Sequence, residues 1–327
     1  VHVLARKAEP CKTSPRMRSL LWRGLVLAAA AACSTTSSSS PDQTPPETPA
    51  DVPANVDEAG APKPPPAPQK DAGDPDASSA GCGKTASGAG AVTAQTLTSG
   101  GNERTFHVSV PSAYDQNHRH PLLFVLHGAG DTNPENMKDW FPVEGNMPPS
   151  IAVYPQALHR TRKDGSGGDI PRWDLEGDED LVFFDAMLAT LGDAYCIDRA
   201  KVFVTGFSSG GNFSHQLGCL RQKSLNAIAP VEGPGPFVST CEGPITVWMT
   251  HDVNDDVLPI ADARDSRDFW AQTNGCGNTW TPDTRPECKK NTGCTSGKSV
   301  TYCETTGVGH NVADFAAATV GAFFSAQ

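Results

Sequence analysis

Positive charge is scarce in this sequence. Lys and Arg number 26 against 37 Asp and Glu, for a net charge of −11 over 327 residues. No basic stripe interrupts that balance beyond residue 80, so the electrostatic footprint of a nucleic-acid binder is missing. The apolar run at 24–32 (GLVLAAAAA) is too short to span a bilayer stably. No cysteines stand as paired C-x-x-C with histidine, which argues against a zinc site. Between residues 34 and 80 large apolar side chains almost vanish, so that stretch cannot bury enough surface to offset its ordering entropy.

Two further absences dispose of tempting motifs. GCGKT at 81–85 suggests a phosphate loop, but Ser78 occupies the position of the required first glycine. Asp252, Asn254 and Asp256 alternate like calcium ligands, but Val257 replaces the glycine and Ala263 the closing glutamate. Neither a metal nor an organic cofactor is expected.

What is present divides the chain into three parts. Residues 17–33 (MRSLLWRGLVLAAAAAC) carry arginines, then an apolar stretch, then small residues; this is an export-signal pattern, with residues 1–16 lying upstream of its start. The apolar stretch ends at Cys33, as in bacterial lipoprotein signals, although Ala30 stands where leucine is usual. A lipid on Cys33 would be the only membrane attachment; cleavage at a nearby alanine is the alternative. Residues 34–81 form a Pro-, Ser- and Ala-rich disordered linker. Residues 82–327 suffice for one domain, expected to be monomeric, with no separate binding module. This part holds Cys82, Cys196, Cys219, Cys241, Cys276, Cys288, Cys294 and Cys303, an even number that favours disulfides in an oxidising compartment.

Within that domain, apolar patterning predicts strands over 105–110, 121–126, 151–154, 201–205, 227–231, 245–249 and 299–303, the first at a sheet edge. It predicts helices over 178–195, 209–220, 261–273 and 312–324. Strands alternating with helices imply an α/β fold, a mostly parallel sheet covered on both faces, with function gathered at the strands' C-terminal ends.

Gly206-Phe207-Ser208-Ser209-Gly210 fits G-x-S-x-G between a predicted strand and a predicted helix. The sharp turn needs small flanks and lifts the serine hydroxyl above the sheet, beside amides at a helix start. Ser208 is therefore the candidate nucleophile. A serine hydroxyl needs a base, and His310 lies between the last predicted strand and helix, where that base belongs. The acid should follow strand 245–249, where Asp252, Asp255 and Asp256 compete; His251 there is read as a packing residue. The backbone N–H of Ser209, paired with that of Ala129 in His127-Gly128-Ala129-Gly130, is the candidate oxyanion hole. Such a set catalyses acyl transfer to water.

Five stretches, PLLFVLHGAG (121–130), VYPQA (153–157), FFDAMLATLGDAYCIDRAKVFVTGFSSGGNFS (183–214), HDVNDDVLP (251–259) and GVGH (307–310), resemble secreted feruloyl esterases and the related polyhydroxybutyrate-depolymerase-like esterases, both α/β-hydrolases. The resemblance runs from about Cys82 to the end. It implies a carboxylic ester hydrolase acting on esters of plant cell-wall polysaccharide such as xylan, of feruloyl or acetyl type. The alternatives are a polyhydroxyalkanoate depolymerase, or a non-catalytic surface-binding lipoprotein. The substrate partner is accordingly an ester on a polysaccharide or polyester. The family's H-G-x-x-D-x-x-V-P pattern, aligned on His251 and Pro259, puts the acid at Asp255, with Asp252 at the usual glycine and Asp256 still an alternative. Trp173 in PRWDL matches a family tryptophan expected, with Gly128, to border the substrate. The resemblance also implies a Cys276–Cys303 disulfide; location suggests Cys82–Cys196, Cys219–Cys241 and Cys288–Cys294.

Overall fold

Strand β3 (His120–Leu126) shows how the chain builds its core. Its apolar residues alternate between two faces, with Leu122, Phe124 and Leu126 on one side and Leu123 and Val125 on the other. A strand apolar on both faces must be covered on both. The computed structural model describes residues 79–162, 165 and 167–327. It does so with a ten-stranded sheet that has helices on each side. The expected signal region and Cys33 lie outside the described residues, as does nearly all of the expected linker.

The strands are β1 (Val92–Ser99), β2 (Asn102–Ser109), β3, β4 (Ile151–Pro155), the short pair β5 (His159–Arg160) and β6 (Ile170–Pro171), β7 (Ile197–Phe207), β8 (Ala227–Val231), β9 (Thr246–Asp252), β10 (Thr281–Pro282), β11 (Cys288–Asn291) and β12 (Val300–Thr305). Their order in the main sheet is β1-β2-β4-β3-β7-β8-β9-β12-β11-β10, while β5 pairs with β6 separately. The centre, from β4 to β12, is parallel, and antiparallel strands flank it. The helices are α1 (Met137–Trp140), α2 (Glu179–Ala194), α3 (Ser209–Leu220), α4 (Ile260–Thr273) and α5 (Ala316–Ser325).

One face of the sheet is packed by α2 (Leu181, Phe184, Leu188), α3 (Phe213, Leu217) and α4 (Trp270). The other is packed by α1 (Met137) and α5 (Val320, Phe324). Each such side chain, once buried, contributes about 1.5–3 kcal/mol. Among the described residues no helix is long and apolar enough to cross a membrane. The parallel sheet and its two helical layers match the predicted α/β architecture.

Three expectations need correction. The strand over 105–110 is interior, because β1 pairs with β2 along its whole length and takes the edge. β1 (VTAQTLTS) is half-exposed and mostly polar, so it carries no core-strand signal. The last helix begins at Ala316, not at 312. Two of the four disulfides differ: Cys276 joins Cys294 and Cys288 joins Cys303. The antiparallel register of β11 and β12 sets Cys288 opposite Cys303, and an isolated bridge pairs Cys276 with Cys294. Cys82–Cys196 and Cys219–Cys241 form as expected.

Candidate active site

The site lies at the C-terminal ends of the parallel strands. Ser208 follows β7, and Gly128 and Ala129 follow β3. Glu232 follows β8, Asp255 lies just beyond β9, and His310 just beyond β12. Ser208 sits at φ 53° and ψ −119°, a backbone conformation costly for a non-glycine residue and found where function demands it. The turn is possible because its neighbours lack side chains. A Cβ on Gly206 would meet the Gly210 carbonyl oxygen at 2.6 Å, and one on Gly210 would meet that of Leu126 at 2.2 Å.

The Ser208 hydroxyl donates to His310 Nε2 at 2.8 Å, and His310 Nδ1–H donates to Asp255 Oδ2 at 2.7 Å. Of the three competing aspartates, Asp255 is thus the one that reaches the imidazole. Asp252 is buried and turned to Thr305 Oγ1 and the Val308 N–H, both at 2.9 Å. Asp256 is exposed. The Asp255 side chain has no exposed surface. Burial alone would raise its pKa, but hydrogen bonds from His310 and from the Leu258 and Val257 amides outweigh that and hold it below the usual carboxylate range.

His251 has a more specific place than packing. Its Nε2–H donates to the Leu258 carbonyl at 2.8 Å and lies 3.2 Å from Asp255 Oδ2, so two imidazoles face one carboxylate oxygen. Burial holds its pKa below the ordinary histidine value, which keeps it neutral. Behind it stands Glu232, fully buried, with φ 47°. Burial, reinforced by the neighbouring Asp255 and Asp252 charges against a hydrogen bond from the Asp252 N–H, pushes the Glu232 carboxyl up to about 8. Glu232, His251 and Asp255 bring ligand-type atoms within 4.8 Å of one another, the one such group among the described residues. Both Asp255 oxygens and His251 Nε2 are already engaged in hydrogen bonds. Glu232 escapes sequence reading because nothing near it in the chain marks it; its position at the tip of β8, beside β9, is the only signal.

The loop after β3 is fixed by four hydrogen bonds. His127 Nδ1–H donates to the Gly128 carbonyl at 2.7 Å, while its Nε2 accepts the Ala157 N–H at 3.0 Å. Burial lowers its pKa, consistent with that neutral tautomer. Trp173 Nε1–H donates to the His127 carbonyl at 3.0 Å, and Gly130 N–H to that of Pro171 at 2.8 Å. Trp173 is itself 3% exposed and stacks on Phe213, and its backbone N–H donates to Ser209 Oγ at 3.3 Å. A Cβ on Gly128 would meet the Phe207 ring at 3.1 Å, so this loop lies directly against the Ser208 turn. The amide N–H groups of Ala129 and Ser209 are not used by any hydrogen bond among the described residues.

Beside Ser208 opens a cleft of about 1030 Å³, bordered by Ala129, Arg172, Trp173, Phe237, Val257 and Leu258. Phe237 and Val257, 53% and 57% exposed, give it an apolar side, while Arg160, Arg162 and Glu176 also line it. The size is that of a small-molecule site.

A parallel sheet with a nucleophile turn after its central strand and an imidazole after its last defines an α/β-hydrolase. No family model matches the chain. Feruloyl esterase D of Neurospora crassa is 33% identical over 209 residues, covering 61% of this chain and 69% of that protein. Feruloyl esterase C of Emericella nidulans is 31% identical over 215 residues, covering 62% and 72%. Among solved structures, an acetyl xylan esterase from Aspergillus awamori aligns with a TM-score of 0.49 at 16% identity, covering 67% of this chain and 94% of that one. The chain belongs to the feruloyl esterase family and is a carboxylic ester hydrolase.

Proposed function

We propose that the protein hydrolyses feruloyl esters of plant cell-wall polysaccharide through Ser208, His310 and Asp255. The observation that carries this reading is the unbroken chain Ser208–His310–Asp255, with bonds of 2.8 and 2.7 Å, in a relative of feruloyl esterases. His310 Nε2 takes the Ser208 proton as Oγ attacks the ester carbonyl. Asp255 holds the imidazole in the tautomer that can accept it and stabilises the imidazolium. The N–H groups of Ser209 and Ala129 receive the oxyanion; one such donor is worth about 3 kcal/mol of barrier. His310 then passes the proton to the leaving alcohol. Water, deprotonated by the same nitrogen, releases the acid and restores Ser208. Trp173 and Gly128 border the acyl side, Trp173 chiefly by holding the His127 carbonyl.

A side-by-side assay on methyl ferulate, acetylated xylan and short-chain polyhydroxybutyrate tests the substrate. Methyl ferulate is expected to be hydrolysed most efficiently; a preference for the polyester would overturn the choice. Export is part of the same reading, supported by four disulfides that suit an oxidising compartment. Mass spectrometry of the mature N-terminus should find a lipid on Cys33, and an unmodified start elsewhere would refute the anchor.

A further inference from the structure

Trp140 ends α1 with 47% of its surface exposed, although Met137 and Phe141 on the same short segment are 2% and 1% exposed. Its indole stands edge-on to Phe207, with ring centroids 4.9 Å apart. Phe207 in turn lies 5.0 Å from the His310 ring. The three rings form a row that begins at the imidazole and ends in solvent. Neither Trp140 nor Phe207 borders the cleft, so Ser208 lies between two different surfaces, a cleft on one side and an exposed aromatic ledge on the other.

An ester has two sides, and the chemistry assigns them. The acyl group stays bonded to Ser208 after the first step and suits the cleft that Ser208 lines. The alcohol must reach His310 Nε2 to collect its proton, and the ledge starts at that ring. When the alcohol is a sugar within a polymer, it needs an open surface, because the chain continues in both directions. A sugar ring also presents a face of C–H groups, which packs against an exposed indole while its hydroxyls stay in water. Trp140 is not a lone exposed ring: with Phe207 it forms a contiguous apolar surface reaching the His310 imidazole, the kind of patch that marks a binding surface.

We propose that Trp140 is the binding subsite for the sugar ring of the leaving alcohol, with Phe207 bridging it to His310. The inference rests on the esterase reading of Ser208 and His310. Binding energy gathered there, away from the reacting atoms, would favour polymer-borne esters over simple alkyl esters.

The test compares kcat/KM for a feruloylated arabino-xylo-oligosaccharide with kcat/KM for methyl ferulate, in wild type, Trp140→Ala and Trp140→Phe. The ratio is independent of how much enzyme is folded. It is expected to fall about tenfold in Trp140→Ala and to recover most of that in Trp140→Phe, which keeps a ring. A ratio within about twofold of wild type in Trp140→Ala would overturn the subsite, and so would a matched loss on both substrates. If size-exclusion chromatography shows a wild-type dimer that Trp140→Ala dissociates, with the ratio unmoved, the ledge belongs to a second copy of the chain and the sugar assignment fails. Failure of wild type on methyl ferulate would strike the feruloyl reading instead, and is seen separately.

Discussion

Glu232 Oε2 accepts the backbone N–H of Asp252 at 2.9 Å, which fixes a fully buried carboxyl directly behind the residues that orient His310. Its other oxygen has no partner among the described residues. With Asp252, Asp255 and the neutral His251 around it, the group keeps its proton up to about pH 8.

That has a consequence for stability. In the unfolded chain a glutamate titrates near 4.5, so between pH 4.5 and 8 the folded state binds more protons and stability falls as pH rises. The stability this group contributes is complete below pH 4.5 and is lost as pH rises through its folded value. Glu232→Gln keeps the shape and removes the titration. The Tm of Glu232→Gln minus that of wild type should therefore increase from pH 5 to pH 8, by several degrees. A difference that stays flat with pH would show that Glu232 ionises in the folded protein as it does in water.

The three aspartates of the β9 loop should separate cleanly in kinetics. Asp255→Asn leaves an amide where the imidazole needs an acceptor, and kcat on p-nitrophenyl acetate should fall by about 10⁴. Asp256 is exposed and bonds to nothing in the triad, so Asp256→Asn should stay within about twofold of wild type. Comparable losses in the two variants would exclude the assignment of Asp255. Ser208→Ala should remove measurable turnover altogether.

Those assignments were legible in the sequence to different depths. Ser208 and His310 could be read because strand–turn–helix context and chain order specify them. Asp255 could not be chosen from the loop itself, since Asp252 and Asp256 carry the same carboxyl group and no local pattern fixes which one turns toward the histidine. Alignment on His251 and Pro259 chose it, and it lies 2.7 Å from His310 Nδ1. Glu232 and the contact of His251 with Asp255 depend on β8 and β9 lying side by side, which no local pattern encodes. The same limit explains the cysteines: Cys288 and Cys303 meet through the β11–β12 register, and β11 (CKKN) is too short and polar to be predicted.

Disulfide mapping of the non-reduced protein should accordingly recover a Cys276–Cys294 peptide pair and a Cys288–Cys303 pair, and no Cys276–Cys303 species. Of the four bonds, Cys82–Cys196 closes the longest loop, with a sequence separation of 114, against 15 for Cys288–Cys303. Chain entropy makes the first worth about 4–5 kcal/mol and the second about 3. Replacing both cysteines of the first by alanine should lower the unfolding midpoint in guanidinium more than the same change at Cys288 and Cys303. The reverse order would mean that native strain or residual unfolded structure outweighs loop length.

Trp173→Phe isolates the support of the loop proposed to hold the oxyanion. Phenylalanine keeps an aromatic ring against Phe213 but has no N–H for the buried His127 carbonyl, now bonded at 3.0 Å. A hydrogen bond of this kind is worth about 1 kcal/mol, so kcat should fall about fivefold with little change in KM, the pattern of a lost positioning contact. If KM rises while kcat holds, Trp173 acts by touching substrate and the hydrogen bond is incidental.

The segment that carries Trp173 is itself anchored by a buried ion pair. Asp180 and Arg104 have no exposed side-chain surface and meet at 2.6 Å, and Arg160, which also pairs with Glu179, approaches Asp180 at 3.2 Å. Asp180 also accepts the Asp174 N–H at 2.7 Å, next to Trp173. Arg104 leaves Nε and Nη1 without partners among the described residues, so the pair is incompletely compensated for its desolvation. Asp180→Ala alone would strand a buried guanidinium, a loss of about 3–5 kcal/mol, or about 10 °C in Tm. The double variant Arg104→Met/Asp180→Leu removes both charges and should regain most of that Tm. It cannot restore the bond to the Asp174 amide, so kcat should stay low even where stability returns. Recovery of kcat together with Tm would show that the ion pair serves the fold alone and that Trp173 is held in place by its own contacts.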